Sequence, residues 1–266
     1  MYSKHFGLKE NPFRILPDPR FLWYSEQHLE AKEKILYHLN QSAGPILLKA
    51  DVGMGKTTIA RRIAEELENE KNKKVVFVFA PKLTTTNAFL RFVMEEFDVK
   101  TERSYGNSLR NFEKFLVAQY KAGVSPILLV DEAQNMDRQQ LLLIQHLFNF
   151  STSQQFLIQM ALFSQPDIQP KLNRLKSLKS RLGYARLKHF DLQQTEDMIQ
   201  FRWTVAGGKK HPFEKGAIAE IYRVSGGIAR EIVKLANESL IRTALARRKI
   251  VDKDTVVEAS NELSSD

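Results

Sequence analysis

Cysteine is absent from all 266 residues. That absence excludes disulfides, thiolate metal sites, iron–sulfur clusters and cysteine nucleophiles. Long apolar runs are missing too. Val75-Val76-Phe77-Val78-Phe79-Ala80 is six residues and Ile127-Leu128-Leu129-Val130 is four, whereas crossing a bilayer takes about 20. Met1 to Glu10 mixes Lys, His and Glu and offers no apolar stretch of the signal-peptide kind. The histidines are scattered, with no pair at metal-ligand spacing. There is no internal repeat and no low-complexity tract. Acidic charge is the scarcer sign: 31 Asp+Glu face 40 Lys+Arg, a formal net charge of +9. That excess suggests a polyanionic partner but does not identify one. With 43% hydrophobic and 27% charged residues, the chain is a globular protein and not a disordered one. Its length suits one large domain, or a core with a small satellite. A cytoplasmic protein without a membrane segment is the expectation.

What is present alternates along the chain. The first 24 residues are rich in proline and aromatics, including Asn11-Pro12-Phe13, Pro17-Asp18-Pro19-Arg20, Phe21, Trp23 and Tyr24. Proline disfavours helix there, so an extended, wrapping segment is expected. Ser25 can cap a helix over 26–40. Apolar strands are expected at 46–50, 75–80, 126–130 and 156–163, with helices at 56–70, 86–97, 109–122 and 137–149. Strands alternating with long helices predict a parallel sheet covered on both faces. Beyond Phe190 the strand signal stops. Helices are expected near 195–206, with Thr195 as cap, and near 213–223, 228–247 and 252–261. The predicted division is therefore an α/β core over 1–190, including the N-terminal wrapping segment, and a small helical domain over 191–266.

The strongest chemical signal is Ala50-Asp51-Val52-Gly53-Met54-Gly55-Lys56-Thr57-Thr58, set between a strand and a helix. That is the context of a phosphate-binding loop. Two glycines let successive N–H groups turn into one anion-sized nest. The helix N-terminus adds its positive dipole. Asp51 to Thr58 is thus the candidate ATP loop, with Lys56 on the β- and γ-phosphates and the Thr57 hydroxyl on Mg²⁺. The usual pattern begins with glycine where this chain has Ala50. The first position ends the strand and makes fewer phosphate contacts, so alanine is tolerable.

The partner signal is Ile127-Leu128-Leu129-Val130-Asp131-Glu132, 75 residues beyond Lys56 counted to Asp131. Apolar residues carry the strand through the core, and two carboxylates emerge where ligands bind in open α/β sheets. Asp131 is the candidate Mg²⁺ residue. Glu132 is placed to orient and deprotonate the attacking water.

Together these motifs resemble those of the AAA+ ATPases, in particular the ExeA/GspA-like branch. Phe6-Gly7-Leu8-Lys9-Glu10-Asn11-Pro12-Phe13 is similar to that branch's opening signature. Asp131-Glu132-Ala133-Gln134-Asn135 is similar to its acidic motif, and Ser225-Gly226-Gly227-Ile228-Ala229-Arg230 to its sensor-2 signature, with Ala229 where proline is common. The resemblance implies further roles. Gln165, in Phe163-Ser164-Gln165-Pro166, would be sensor 1 and contact the γ-phosphate or the water. Arg230 would be sensor 2. Arg181 would be the arginine finger acting on a neighbouring subunit, with Arg174 and Arg186 as rivals, which implies a ring or helical filament. Pro12 and Phe13 would pack near adenine; simple core packing is the other reading.

The same core occurs in DNA-transposition regulators of the MuB and TnsC kind. By that resemblance Lys82, Thr84, Lys100, Thr101 and Arg103 are candidate contacts to duplex DNA, against the alternative of a polar rim. Between Lys171 and Phe190 stand seven basic residues and no acid, a stretch suited to an intersubunit face. Two functions compete. One is an ATPase that assembles on DNA and recruits a transposase or targeting protein. The other is the ATPase module of a secretion apparatus. The chain stops at Asp266 without a membrane anchor, which with the +9 charge tilts the expectation to DNA. A substrate-threading unfoldase would need an aromatic–glycine pair in a pore loop; no loop here carries one convincingly, and Tyr105-Gly106 is the pair that keeps that reading open.

Overall fold

The computed structural model describes residues 2–14, 18–79 and 85–264. Five parallel strands form one sheet: β1 (Ile46–Lys49), β2 (Lys73–Phe79), β3 (Ser125–Asp131), β4 (Gln159–Ser164) and β5 (Gly183–Arg186). Their order is β2-β3-β4-β1-β5. The helices among the described residues are α1 (Tyr2–His5), α2 (Glu26–Asn40), α3 (Lys56–Glu68), α4 (Thr86–Glu96), α5 (Tyr105–Lys121), α6 (Arg138–Phe148), α7 (Gln169–Asn173), α8 (Lys176–Lys179), α9 (Leu192–Val205), α10 (Lys215–Ser225), α11 (Ala229–Leu245) and α12 (Lys253–Leu263). None is long and apolar enough to cross a membrane.

By packing, the chain falls into two compact units. One holds residues 27–50 and 59–187; the other holds 1–26, 51–58 and 188–266. The first unit is the sheet with its flanking helices. β3 and β4 are buried along their central residues, as expected of strands covered on both faces. Leu128, Val130 and Leu162 from the sheet share one core with Phe89, Val93, Phe97, Phe112 and Ile144 from the helices. The second unit has its own core, which joins Tyr2, Phe13, Phe21, Phe190, Trp203, Phe213, Ile221 and Leu240. The N-terminal segment thus packs with the lid helices. The division at 190/191 stands as a proposal about domains, since packing draws its line differently.

Several element ends differ from the expectation for identifiable reasons. α5 starts at Tyr105 and not near 109, because the Ser104 hydroxyl accepts from the Asn107 N–H. β4 starts at Gln159 and not at Phe156, because Phe156 turns back to bridge Ser151 and packs its ring 4.1 Å from that of Phe148. α9 is capped by Asp191, whose carboxylate and Gln194 form a reciprocal capping box, and not by Thr195. Thr195 is buried and donates to the Asp191 carbonyl. Tyr105 is half-buried against the sheet core at the start of a helix, so it is not a pore-loop aromatic.

Candidate nucleotide site

The carboxyl edge of the sheet brings the acidic candidates together. β4 lies between β1 and β3, with Lys49 in register with Ser164 and Val130 with Leu162. The ends of β1, β4 and β3 therefore lie side by side and deliver Ala50, Gln165 and Asp131-Glu132 to one edge. The Ala50 N–H donates to the Ser164 carbonyl at 3.1 Å, extending the ladder by one residue. Position 50 continues the strand pairing, which explains why alanine stands there without strain.

Asp131 is fully buried. One of its carboxylate oxygens accepts from the Glu132 N–H at 2.9 Å. Glu132 sits in the left-handed region, at φ 53° and ψ 37°. That conformation costs a non-glycine residue roughly 1–2 kcal/mol. The turn is held by side chains. Glu132 Oε2 accepts from the amide nitrogens of both Gln134 and Gln165, the latter at 3.3 Å. Gln134 Oε1 in turn accepts from the Ser164 hydroxyl at 3.2 Å and the Gln165 N–H at 3.0 Å. The Lys171 ammonium donates to the carbonyls of Gln134 and Met136, closing the same turn.

The glycine loop follows β1 directly in the chain. Gly53 has φ 83° and Gly55 φ 86°, the conformations that turn backbone N–H groups into a nest. Lys56 opens α3, is buried, and donates to the Asp51 carbonyl at 2.8 Å, folding back over the loop. The residues present therefore fit a polyphosphate: a nest, a helix N-terminus and an ammonium group in one turn. Thr57 and Thr58 are half-buried in the first turn of α3, Met54 is buried and Val52 exposed.

The loop is tied to the lid helices within its own unit. The Arg230 N–H, in the first turn of α11, donates to the Gly53 carbonyl at 3.2 Å. A Cβ at Gly53 would lie 2.8 Å from the Arg230 Cβ. The Arg230 side chain is exposed. His189 Nε2 meets Asp51 Oδ2 at 2.7 Å. The Ser225–Arg230 motif also has a packing role, because a Cβ at Gly227 would lie 2.0 Å from the Phe190 carbonyl oxygen.

The remaining candidates divide. Arg174, Arg181 and Arg186 are all exposed, as a group reaching a neighbouring subunit must be. Arg181 donates to the Asn149 side chain and lines a cavity of about 470 Å³ with Gly44, Phe148 and Phe156. Pro12 and Phe13 are buried; the Phe13 ring packs edge-on to Phe213 at 6.2 Å, in the lid core. Of the DNA candidates, Lys82 and Thr84 lie outside the described residues. Lys100 and Arg103 are exposed and Thr101 is half-buried. That segment is fixed to α5, since Asn111 donates to the Lys100 carbonyl and Ser108 pairs with the backbone of Glu102. Sequence reasoning gave no role to Gln134 or His189. Gln134 was visible as part of the acidic motif. His189 stands 138 residues from Asp51, and no spacing signal could have joined them.

A family model described as "AAA domain" matches residues 39–172, half of the chain. The chain is 34% identical over 261 residues to General secretion pathway protein A of Aeromonas hydrophila, covering 96% of this chain and 47% of that protein. It therefore spans about half the length of this curated relative. Among solved structures it is similar to Cdc6p of Pyrobaculum aerophilum, with TM-score 0.68 and 17% identity over 98% of this chain and 70% of the other. It is also similar to the ORC2 protein of Aeropyrum pernix in ADPNP–ADP complexes, with TM-score 0.65 and 16% identity over 94% and 71%. At these identities the two structures share the fold.

Proposed function

The chain belongs to the AAA family, with an AAA+ core and lid helices, and from that membership we propose that it hydrolyses Mg·ATP as the ATPase part of a secretion-associated assembly. The observation that carries the secretion half is the 34% identity to General secretion pathway protein A, sustained over 96% of this chain. It favours that reading over the expected DNA-transposition regulator. A chain spanning 47% of its relative supports nothing by where it ends, so the stop at Asp266 no longer counts towards DNA.

The hydrolytic half rests on side chains. ATP with Mg²⁺ supplies the phosphoanhydride bond that water breaks. The nest at Gly53 and Gly55 and the Lys56 ammonium would hold phosphate oxygens. Thr57 and Asp131 would hold the metal. Glu132 accepts the proton of the attacking water, and Gln165 orients it. Arg230 contributes from the lid, and an exposed arginine, with Arg181 the first candidate, contributes from the neighbouring subunit. That last role makes the active form an oligomer. A protein that consumes ATP in this way would work in the cytoplasm.

Two measurements test the proposal. Phosphate release by the purified chain should require Mg²⁺ and rise with protein concentration. A chimera carrying this chain in place of the matching half of the Aeromonas hydrophila protein should restore secretion in a strain lacking that protein. Absence of phosphate release would overturn the hydrolytic reading. A chimera that folds and hydrolyses ATP but does not secrete, together with ATP-dependent assembly on duplex DNA that weakens with salt, would restore the DNA reading.

A further inference from the structure

We propose that Gln134 is the positioning residue that aims the Glu132 carboxylate, linking it to the end of β4. The inference rests on the hydrolytic reading above and adds a residue to it. Three features carry it. First, Glu132 occupies a left-handed conformation, φ 53° and ψ 37°, that a glutamate does not adopt without support. Second, the two side-chain amides that reach its carboxylate, those of Gln134 and Gln165, donate to the same oxygen, Oε2. That fixes the plane of the carboxylate and leaves Oε1 as the proton acceptor. Third, the Gln134 amide is itself fixed. Its oxygen accepts from the Gln165 N–H and shares the Ser164 hydroxyl proton with the Gln165 carbonyl, and its backbone carbonyl accepts from Lys171.

The amide chemistry is specific. Only a group with an acceptor at one end and a donor at the other can join the β4 donors to a carboxylate. A glutamate at 134 would keep the acceptor and the size, but would set a second carboxylate against Glu132. An alanine would remove both contacts and release Glu132 from its turn. Gln165 alone would then hold the carboxylate, through one long hydrogen bond. Because Gln134 touches Ser164 at the end of β4 and Gln165 just beyond it, a displacement of Gln165 on meeting its ligand would reach Glu132 both directly and through Gln134.

The test compares wild type, Gln134→Ala, Gln134→Glu, Glu132→Gln and the double variant Glu132→Gln/Gln134→Ala. Single-turnover hydrolysis is measured at saturating Mg·ATP, with binding of a fluorescent ATP analogue measured separately. Gln134→Ala should lower the hydrolytic rate by about 10–100-fold, the scale of a misplaced catalytic group, and leave ATP affinity within about twofold. Gln134→Glu, which keeps the links to Ser164 and Gln165, should be equally slow at pH 7. In the Glu132→Gln background, Gln134→Ala should cost nothing more.

Wild-type rates in Gln134→Glu would overturn the proposal, and so would a rate increase in Gln134→Ala. An undiminished effect of Gln134→Ala in the Glu132→Gln background would also overturn it, since the role would not run through Glu132. If wild type releases no phosphate, the hydrolytic reading falls and this inference with it. If wild type is active and the position-134 variants match it, this inference alone falls.

Discussion

The Arg230 N–H donates to the carbonyl of Gly53 across 3.2 Å. One hydrogen bond thus joins the phosphate-loop glycine to the first turn of α11. The two residues are 177 positions apart in the chain. The loop conformation and the placement of this helix depend on each other at that point.

Gly53→Ala should therefore damage the loop in two ways. The residue has φ 83°, and its Cβ would stand 2.8 Å from the Arg230 Cβ. The backbone strain alone costs roughly 1–2 kcal/mol, or about a tenfold loss of nucleotide affinity. Titration with a fluorescent ATP analogue should show at least that loss, while circular dichroism shows the helices retained. Wild-type affinity would mean that the nest does not hold phosphate.

Lys56→Ala and Glu132→Gln should separate binding from chemistry. The first should abolish measurable ATP binding and any nucleotide-dependent assembly. The second should bind ATP normally and hydrolyse it about 10²–10⁴-fold more slowly, the usual contribution of a general base. Equilibrium binding and single-turnover hydrolysis on the same samples decide it.

Arg202 should prove a structural anchor of the N-terminal segment. It is buried and donates to the carbonyls of Pro12, Phe21 and Arg14, at 2.8, 3.2 and 3.2 Å. Its guanidinium lies over the rings of Phe13 and Phe21. Lysine cannot reproduce that fork. Arg202→Lys should destabilise the protein by about 2–3 kcal/mol, the scale of a lost set of charge-assisted hydrogen bonds. Chemical denaturation should show this, and limited proteolysis should cut earlier near the N-terminus.

His211 should make the lid acid-sensitive. Burial pushes its pKa below the ordinary 6.5, against the opposing pull of Glu196. Its Nδ1 accepts from the Phe213 N–H at 3.3 Å, a bond that needs the unprotonated nitrogen. As pH falls through 6.5, the unfolded chain takes up a proton that the folded one resists, so stability is lost. The loss continues down to the depressed folded value. Thermal midpoints measured from about pH 7.5 to about pH 5, the range in which histidine titrates, should fall, and His211→Asn should flatten part of that slope. An unchanged slope would refute the assignment.

Much of this site was legible from local sequence. Asp51–Thr58 and Asp131-Glu132 could be read because each motif is contiguous: strand residues carry the chain to an edge, and the next few residues supply the chemistry. Helix ends were legible where the cap was local and strong, as at Asp137 with Gln140. They were misplaced where several residues could cap, as with Asp191 and Thr195. Gln134 stood in plain view within its motif, yet its partners Ser164 and Gln165 lie 30 and 31 positions away.

The sequence by itself determined the absence of thiol chemistry, the alternation of strand and helix, the glycine loop and the paired acids. These follow from residue type and short-range spacing, which act within a turn or a strand. Tertiary structure alone decided that β4 lies between β1 and β3 and so brings Gln165 to Glu132. It also decided that the N-terminal segment packs with the lid helices, and that Gly53 meets Arg230. Those contacts join distant parts of the chain, and packing two separate apolar cores, not any local preference, selects them.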